Sequence, residues 1–426
     1  MSRYKKRIVD DLLVRKLKGK RAVLIQGPKW CGKTTTAEQI SKSILYVSEP
    51  GQMKKNLEMA ELDPSYLLEG DIPRLIDEWQ IAPNLWDAVR FEVDHRHKRG
   101  QFILTGSTVP PSNANIFHTG TGRFAKLKMR TMSLYESLES SGEVSLADLF
   151  NSPEIIRGTN KMQLSDIAYL ICRGGWPSAI DAELDHDTAL DQAKDYYDMV
   201  VDSDISRVDG MVRNPQRVDL LMRSYARNQA TQATMTLIRS DIVTNDTDTL
   251  NVDTIASYLN ALRQIFVIED LPAWNPNLRS KTAIRTSFTR YFTDPSIAAA
   301  AMGVGPDDLL KDLNSFGFLF ETLCVRDLRV YADSIDGNVF HYRDSKGLEC
   351  DTVIHLRNGS FGLIEIKLGG DKLIEEGVSN LKKLTRKIDT TKMKAPSFIA
   401  IITAVGTYAY RRKDGVYIIP IASLKN

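Results

Sequence analysis

The chain has 426 residues, room for two or three domains, and its 42% hydrophobic residues, 26 glycines and 26% charged residues exclude a mainly disordered, collagen-like or low-complexity protein. With 56 Lys and Arg against 54 Asp and Glu the formal net charge is only +2, so a surface for a polyanion has to be a local patch. The four cysteines (Cys31, Cys172, Cys324, Cys350) lie far apart without a C-x-x-C pair, which indicates neither a zinc site nor a disulfide framework.

The N-terminal stretch MSRYKKRIVDDLLVRKLKGKR is basic but lacks the apolar run and small-residue cleavage site of a signal peptide. Ile8, Val9, Leu12, Leu13 and Leu17 recur at helical spacing, which predicts a basic amphipathic helix. No stretch approaches the roughly 18 apolar residues of a membrane span. A soluble, cytoplasmic protein without a membrane partner is the default expectation.

Next, RAVLIQGPKWCGKTTTAEQISKSI runs from a short apolar strand through a glycine turn into a helical pattern. The turn matches G-x-x-x-x-G-K-S/T, with Gly27, Gly32, Lys33 and Thr34 in the fixed places. Glycines allow backbone N–H groups to wrap phosphates, the helix start adds its positive end, Lys33 adds a cation and Thr34 a hydroxyl for Mg²⁺. The expected nucleotide-binding loop comprises Gly27, Pro28, Lys29, Trp30, Cys31, Gly32, Lys33, Thr34 and Thr35, and the expected cofactors are ATP and Mg²⁺.

PRLIDEWQ reads as a buried strand that ends at a metal site: Asp77 would hold the metal's water shell, and Glu78 would orient and deprotonate the attacking water. A kinase does not need that glutamate, so the pair points to hydrolysis. A further strand, QFILTGST, ends in Thr105, Gly106 and Ser107, polar residues that either report the γ-phosphate or begin a turn. In HTGTGRFAKLKMRTMSLYE, Arg123 opens another strand. Its two readings, a cation for the γ-phosphate (within the chain or from a neighbouring subunit) and a surface residue, stay open.

GPKWCGKTT, LIDEWQ, FILTGST and TGRFAKLKMRTMSLYE together resemble a large prokaryotic group of AAA-type ATPases that carry a C-terminal domain of unknown function with a nuclease-like fold. The resemblance covers essentially the whole chain. It implies an AAA-like core sheet, a sensor role for Thr105 or Ser107, an arginine-finger place for Arg123 and a soluble oligomer. Trp79 stands where the group usually has an aliphatic residue.

Residues 135–240 carry helical patterns interrupted by ICRGGWPSAI, where two glycines before Trp-Pro break a regular helix. This element looks like the G-x-P of a helical lid, with Gly175, Trp176 and Pro177 bordering the adenine; a plain helix–helix turn is the alternative. From Pro215, helical segments followed by a strand-like run (Ile265 to Ile268) resemble a winged helix. The basic run of Arg279, Lys281, Arg285 and Arg290, with Phe288, Tyr291 and Phe292 nearby, would suit a phosphate backbone. The expected recognition helix offers only Arg263 with Asn260 and Gln264, so a protein-binding spacer is the rival role.

The last third reads as an amphipathic helix with Glu321 near its start, a hairpin (YRDSKGLECDTVIHL, RNGS) and the strand FGLIEIKL, in the PD-(D/E)XK order. Alternation places Leu363, Glu365 and Lys367 on one face. In a nuclease Asp351 and Glu365 would bind Mg²⁺ with the help of Glu321, and Lys367 would position or activate the attacking water.

The expected fold is therefore α/β and multidomain: an AAA-like P-loop parallel sheet (1–135), a helical lid (136–210), a winged-helix segment (211–285) and a restriction-endonuclease-like α/β domain (286–426). The expected activity is Mg²⁺-dependent ATP hydrolysis, with Lys33, Glu78 and Arg123 as catalytic residues, coupled to a nuclease-like domain directed at DNA or another nucleic acid. The alternative is a nucleotide-switched interaction protein, with a protein partner on the winged helix and a silent nuclease-like domain. A small-metabolite kinase is a weaker third reading.

Overall fold

The computed structural model describes residues 4–108, 120–151, 156–243, 251–276 and 287–426. Five parallel strands, β1 (Ala22–Gln26), β2 (Ser43–Tyr46), β3 (Arg74–Asp77), β4 (Phe102–Gly106) and β5 (Phe124–Lys128), form a sheet in the order β2-β3-β4-β1-β5. Their short apolar runs suit strands covered on both faces. Period-two alternation divides β1: Ala22 and Leu24 pack with Trp86, Val89 and Val93 of the helix Asn84–His95. Val23 and Ile25 pack with Val9, Leu12, Leu13 and Leu17 of the helix Ile8–Gly19. The N-terminal amphipathic pattern thus becomes a helix in which Ile8, Val9, Leu12, Leu13 and Leu17 are all buried, while Val14 is exposed.

The middle of the chain is helical. Leu164–Arg173, a short 3-10 turn at Pro177–Ile180 and His186–Met199 lead into a π-helical turn at Val200–Asp204. Pro215–Arg227, Met235–Val243 and Val252–Gln264 follow. After them Ile268 bridges Phe292 and Leu271 bridges Thr289, both antiparallel. Only Ile268 of the expected strand-like run bridges a partner, because Phe266 takes a left-handed φ of 60° that breaks extended pairing. Arg279, Lys281 and Arg285 lie outside the described residues.

Two short strands, β6 (Val144–Ser145) and β7 (Gly158–Thr159), leave the helical stretch for the C-terminal part. There β8 (Gly337–Arg343), β9 (Glu349–Leu356), β10 (Phe361–Lys367), β11 (Phe398–Thr403), β12 (Tyr408–Arg411) and β13 (Tyr417–Pro420) build a sheet with β7 in the order β7-β12-β13-β11-β10-β9-β8. β6 pairs with β14 (Leu424–Lys425). The three strands β8, β9 and β10 are antiparallel neighbours, whereas β10, β11 and β13 run parallel. Ile364 and Ile366 pack into the core shared with the 22-residue helix Leu313–Ser334, and Leu363 packs with Val378, Leu381 and Leu384 of the helix Asp371–Lys387. No helix among the described residues is long and apolar enough to cross a membrane.

Candidate functional site: a P-loop cleft and a closed carboxylate–lysine cluster

The loop between β1 and the helix Lys33–Glu38 is shaped by its glycines. A Cβ at Gly27 would meet the Met129 carbonyl oxygen at 2.0 Å, and Gly32 takes a φ of +99°, which L side chains avoid. Lys33 is buried, and its ammonium donates to the carbonyls of Gly27 (3.1 Å) and Pro28 (2.7 Å). Lys29, Trp30, Gly32, Lys33, Thr34 and Thr35 line a cleft of about 750 Å³ together with Glu78, Ser107 and Pro177. Cys31 does not: its side chain is buried behind the loop, with Sγ 3.7 Å from the Met129 carbonyl oxygen.

At the ends of β3 and β4 a chain of hydrogen bonds fixes the acids. Thr34 Oγ1 and Thr105 Oγ1 both donate to Asp77 Oδ1, at 2.7 and 2.6 Å, and the Glu78 N–H donates to Thr105 Oγ1 at 3.2 Å. Glu78 itself has φ 56°, a left-handed backbone that turns its carboxylate to Ser107 Oγ (3.0 Å) and to the Gln80 amide. Of the two candidates, then, Thr105 on β4 is a brace of Asp77, and Ser107, just past the end of β4 and also buried, is the one that borders the cleft. Trp79 is buried against Trp86, with ring centroids 4.8 Å apart.

Thr34 and Asp77 offer a hydroxyl and a carboxylate side by side, the hard oxygen donors that Mg²⁺ takes. The glycine cradle and Lys33 are the complement of a nucleotide phosphate, so these residues fit ATP and Mg²⁺.

Arg123 stands apart. It immediately precedes β5, and β1 pairs β5 in parallel from Ala22 and Phe124 onward, so Arg123 lies at the end of the sheet opposite the loop after Gln26. Five residues of strand, about 16 Å, separate the two ends. Its guanidinium bonds Asp94 at 2.7 Å. It does not reach this chain's own phosphate cleft.

In the Gly-Gly-Trp-Pro element expected to belong to a lid, the two glycines are required by close packing: a Cβ at Gly175 would meet the Met132 carbonyl oxygen at 2.1 Å, and Gly174 has φ +74°. That junction delivers Pro177 to the cleft, 3.6 Å from where a Cβ on Gly32 would be. Sequence reasoning missed Asp204, whose carboxylate takes the Lys29 ammonium at 2.6 Å. It also missed the buried Arg7, which bonds the carbonyls of Cys31 and Arg130 and the carboxylate of Glu136. Lys29–Asp204 and Arg7–Glu136 join residues more than a hundred positions apart, and no local spacing announces them.

In the C-terminal part the expected cluster assembles, but around a lysine. Lys367 Nζ lies 2.6 Å from Glu365 Oε2 and 3.3 Å from Asp351 Oδ2, and Asp351 also accepts the Ile366 N–H at 2.8 Å. Glu321 is occupied by the Tyr291 hydroxyl at 2.5 Å. Burial, the neighbouring Asp351 and the opposing pull of Lys367 leave Glu365 raised to about 8. Burial and Asp351 also lift Glu321 well above the usual carboxylate range. The single ammonium pairs with Glu365 and Asp351, and the crowding of carboxyl groups around it favours the protonated forms of Glu321 and Glu365.

The cavity beside them measures about 40 Å³ and is walled by Ala230, Thr231 and Gln232 from the helical part. Glu365 Oε1 is buried without a hydrogen-bond partner, but among the described residues no three His, Cys, Asp or Glu side chains are grouped to hold a metal ion. The expectation that Glu321, Asp351 and Glu365 jointly ligate Mg²⁺ does not fit this arrangement. The ammonium of Lys367 bridges two of those carboxylates, and a phenol holds the third.

The expected nucleic-acid surface of the winged-helix segment is likewise altered. Arg263 and Arg290 both pair with Asp270, at 2.7 and 3.0 Å, and Tyr291 and Phe292 are buried. Both charges compensate an internal acid, Arg290 from a buried position and Arg263 from a partly exposed one.

Comparison with known proteins divides the chain into three matched segments. Residues 19–138 match an AAA domain, 164–308 a domain of unknown function (DUF8612) and 316–424 another domain of unknown function (DUF4143). No curated protein matches the sequence. Among solved structures the chain is similar to a Walker-type ATPase of Pyrococcus abyssi, with 12% identity over 70% of this chain and 96% of that one and a TM-score of 0.42. It is also similar to PCH-2 of C. elegans, with 14% identity over 60% of this chain and 66% of that one and a TM-score of 0.21. The five-stranded parallel sheet and its phosphate loop are thus an AAA-type P-loop domain.

Proposed function

We propose that the AAA-type domain binds ATP with Mg²⁺ and hydrolyses it, and that the nucleotide sets the position of the lid and of the parts attached to it. The observation that carries this reading is the chain Thr34–Asp77–Thr105 beside a buried Lys33 and a glycine cradle, all at one end of one sheet. When bound, Mg²⁺ draws charge from the phosphates; Thr34 and Asp77 are the residues to hold it. Lys33 adds a fixed cation, and Glu78 is the base for water, with Ser107 and Gln80 setting its direction. Arg123, at the far end of the sheet, fits a role only at the phosphate of a neighbouring copy, which makes a homo-oligomer part of the proposal.

Two roles stand for the C-terminal part. The order of helix, three antiparallel strands, helix and parallel strands, with Asp351, Glu365 and Lys367 on adjacent strands, supports a PD-(D/E)XK-like nuclease module coupled to the ATPase. The lysine bridge and the 40 Å³ cavity favour the other reading, in which this domain is catalytically silent and serves a nucleotide-switched interaction protein. The winged-helix-like segment is then a spacer toward a protein partner.

The test uses the full chain. ATP turnover should vanish in Lys33→Ala, and Glu78→Gln should still bind ATP while turnover falls at least about a hundredfold, the lower end of what a general base contributes. Normal turnover in Lys33→Ala removes the ATPase reading. Plasmid and single-stranded DNA incubated with Mg²⁺ or Mn²⁺, with and without ATP, separate the two C-terminal roles. Cleavage lost in Asp351→Ala establishes the nuclease, and intact DNA beside normal ATP hydrolysis establishes the silent domain for these substrates.

A further inference from the structure

Two consecutive residues of the phosphate loop lean on the lid. Lys29 Nζ lies 2.6 Å from Asp204 Oδ1; the lysine side chain is 40% exposed, the aspartate only 8%. Beside it, Trp30 has φ 63° and a side chain that remains largely open to the cleft, with its ring centroid 6.4 Å from that of Tyr196. Tyr196 is buried and packs in turn on Trp176, the residue before Pro177, at 4.2 Å. Both lid partners come from one stretch, since Tyr196 is near the end of the helix His186–Met199 and Asp204 closes the π-helical turn Val200–Asp204.

A π-helical turn inside a helix forfeits the regular i→i−4 bond and is retained mostly where it aims a particular side chain. Here it places one carboxylate, nearly closed to water, against an ammonium that lines the phosphate cleft. A carboxylate so buried depends on its cation. A half-exposed lysine, by contrast, has reach and freedom to change partners.

We propose that Asp204 is a positioning residue for Lys29, and that the phosphates of ATP compete with it for the Lys29 ammonium. The lysine is then a second phosphate-binding cation beside Lys33. Its transfer from Asp204 to phosphate links the occupied cleft to the lid through the π-helical turn. Asp204 thereby sets both the affinity for nucleotide and the response of the helical part. This rests on the reading of the cleft as an ATP site.

The experiment measures ATP binding by isothermal titration in the full-length wild type, Asp204→Asn, Lys29→Met and the double variant, and steady-state turnover in each. Asparagine keeps the size of the aspartate and removes the competing charge. Asp204→Asn is expected to bind ATP about fivefold more tightly than wild type, and Lys29→Met more weakly. In the Lys29→Met background, Asp204→Asn should change nothing, which is the signature of a coupled pair. Tighter binding is a result that a merely structural role for Asp204 does not produce.

Equal or weaker binding in Asp204→Asn overturns the proposal, as does the same change in the presence and absence of Lys29. Should Asp204→Asn prove misfolded by its thermal transition, Lys29→Met with unchanged ATP affinity overturns it independently. Failure of the wild type to bind ATP rejects the ATP site itself, a distinct outcome.

Discussion

Asp77 shows how a single acid is fixed in direction: two threonine hydroxyls, from the loop helix and from β4, converge on one of its oxygens. Sequence spacing identified Lys33, Thr34, Asp77 and Glu78 because a phosphate loop and a strand-end acid pair are local patterns. It left Thr105 and Ser107 undivided, since both are buried and only the fold decides that one meets Asp77 and the other meets Glu78 at the cleft. Another residue carries its own testable consequence. Burial pulls His341 down from 6.5 to about 4, against a hydrogen bond to the Ser287 carbonyl. The unfolded chain therefore binds the proton that the folded chain refuses between those values. Stability should be fully present above about pH 6.5 and should fall as pH drops toward 4, by roughly 3 kcal/mol from this residue. His341→Gln should flatten that slope in denaturant titrations across the same range; an unchanged slope contradicts the assignment.

Among the elements, the junction before Pro177 shows what two glycines accomplish. Met132 N–H donates to the Gly175 carbonyl at 2.7 Å, and the Gly175 N–H donates to Asp294 Oδ2 at 3.0 Å, so this backbone lies flat between the ATPase core and the following helices. A methyl group has no room there. Gly175→Ala should cost at least roughly 1–3 kcal/mol by overpacking. Because Pro177 moves with the junction, the variant should also raise the KM for ATP, whereas a loss of stability with unchanged KM would separate lid placement from nucleotide binding. The Gly-Gly-Trp-Pro break was visible in the sequence as a helix interruption. Its contact with Met132 was not, since that requires the fold to bring residue 132 to it.

For the molecule as a whole, the parts are joined through buried charge. Asp294, fully buried, accepts from Thr131 Oγ1 (2.6 Å), the Gly175 N–H (3.0 Å) and Arg326 (3.1 Å), and Arg326 also pairs with Asp327 at 2.8 Å. ATPase core, lid, the helix Pro295–Met302 and the helix Leu313–Ser334 thus meet at one carboxylate. Burial alone would raise Asp294, but Arg326 and the donors around it hold it below the usual carboxylate range. Asp294→Ala should destabilise the chain by about 3–5 kcal/mol, because it removes one of the two carboxylates that compensate a buried guanidinium and leaves the Thr131 hydroxyl and the Gly175 N–H without their acceptor. The loss should appear in both the ATPase and the C-terminal parts in one unfolding transition. Two separated transitions would show that the parts fold independently of this hub.

What the sequence determined by itself was whatever repeats at short range. Strand and helix periodicity, the phosphate loop, the acid pair after β3 and the order of helix, hairpin and E-x-K strand are all patterns of neighbours. Tertiary structure decided which partners those residues take. Lys367 bridges Glu365 and Asp351 because β9 and β10 lie side by side; Glu321 meets Tyr291 because the segment after the helical part folds back; and Lys29 meets Asp204 across 175 positions. A charged side chain in a low-dielectric interior is settled by its nearest counter-charge, and distance along the chain does not reveal which one that is.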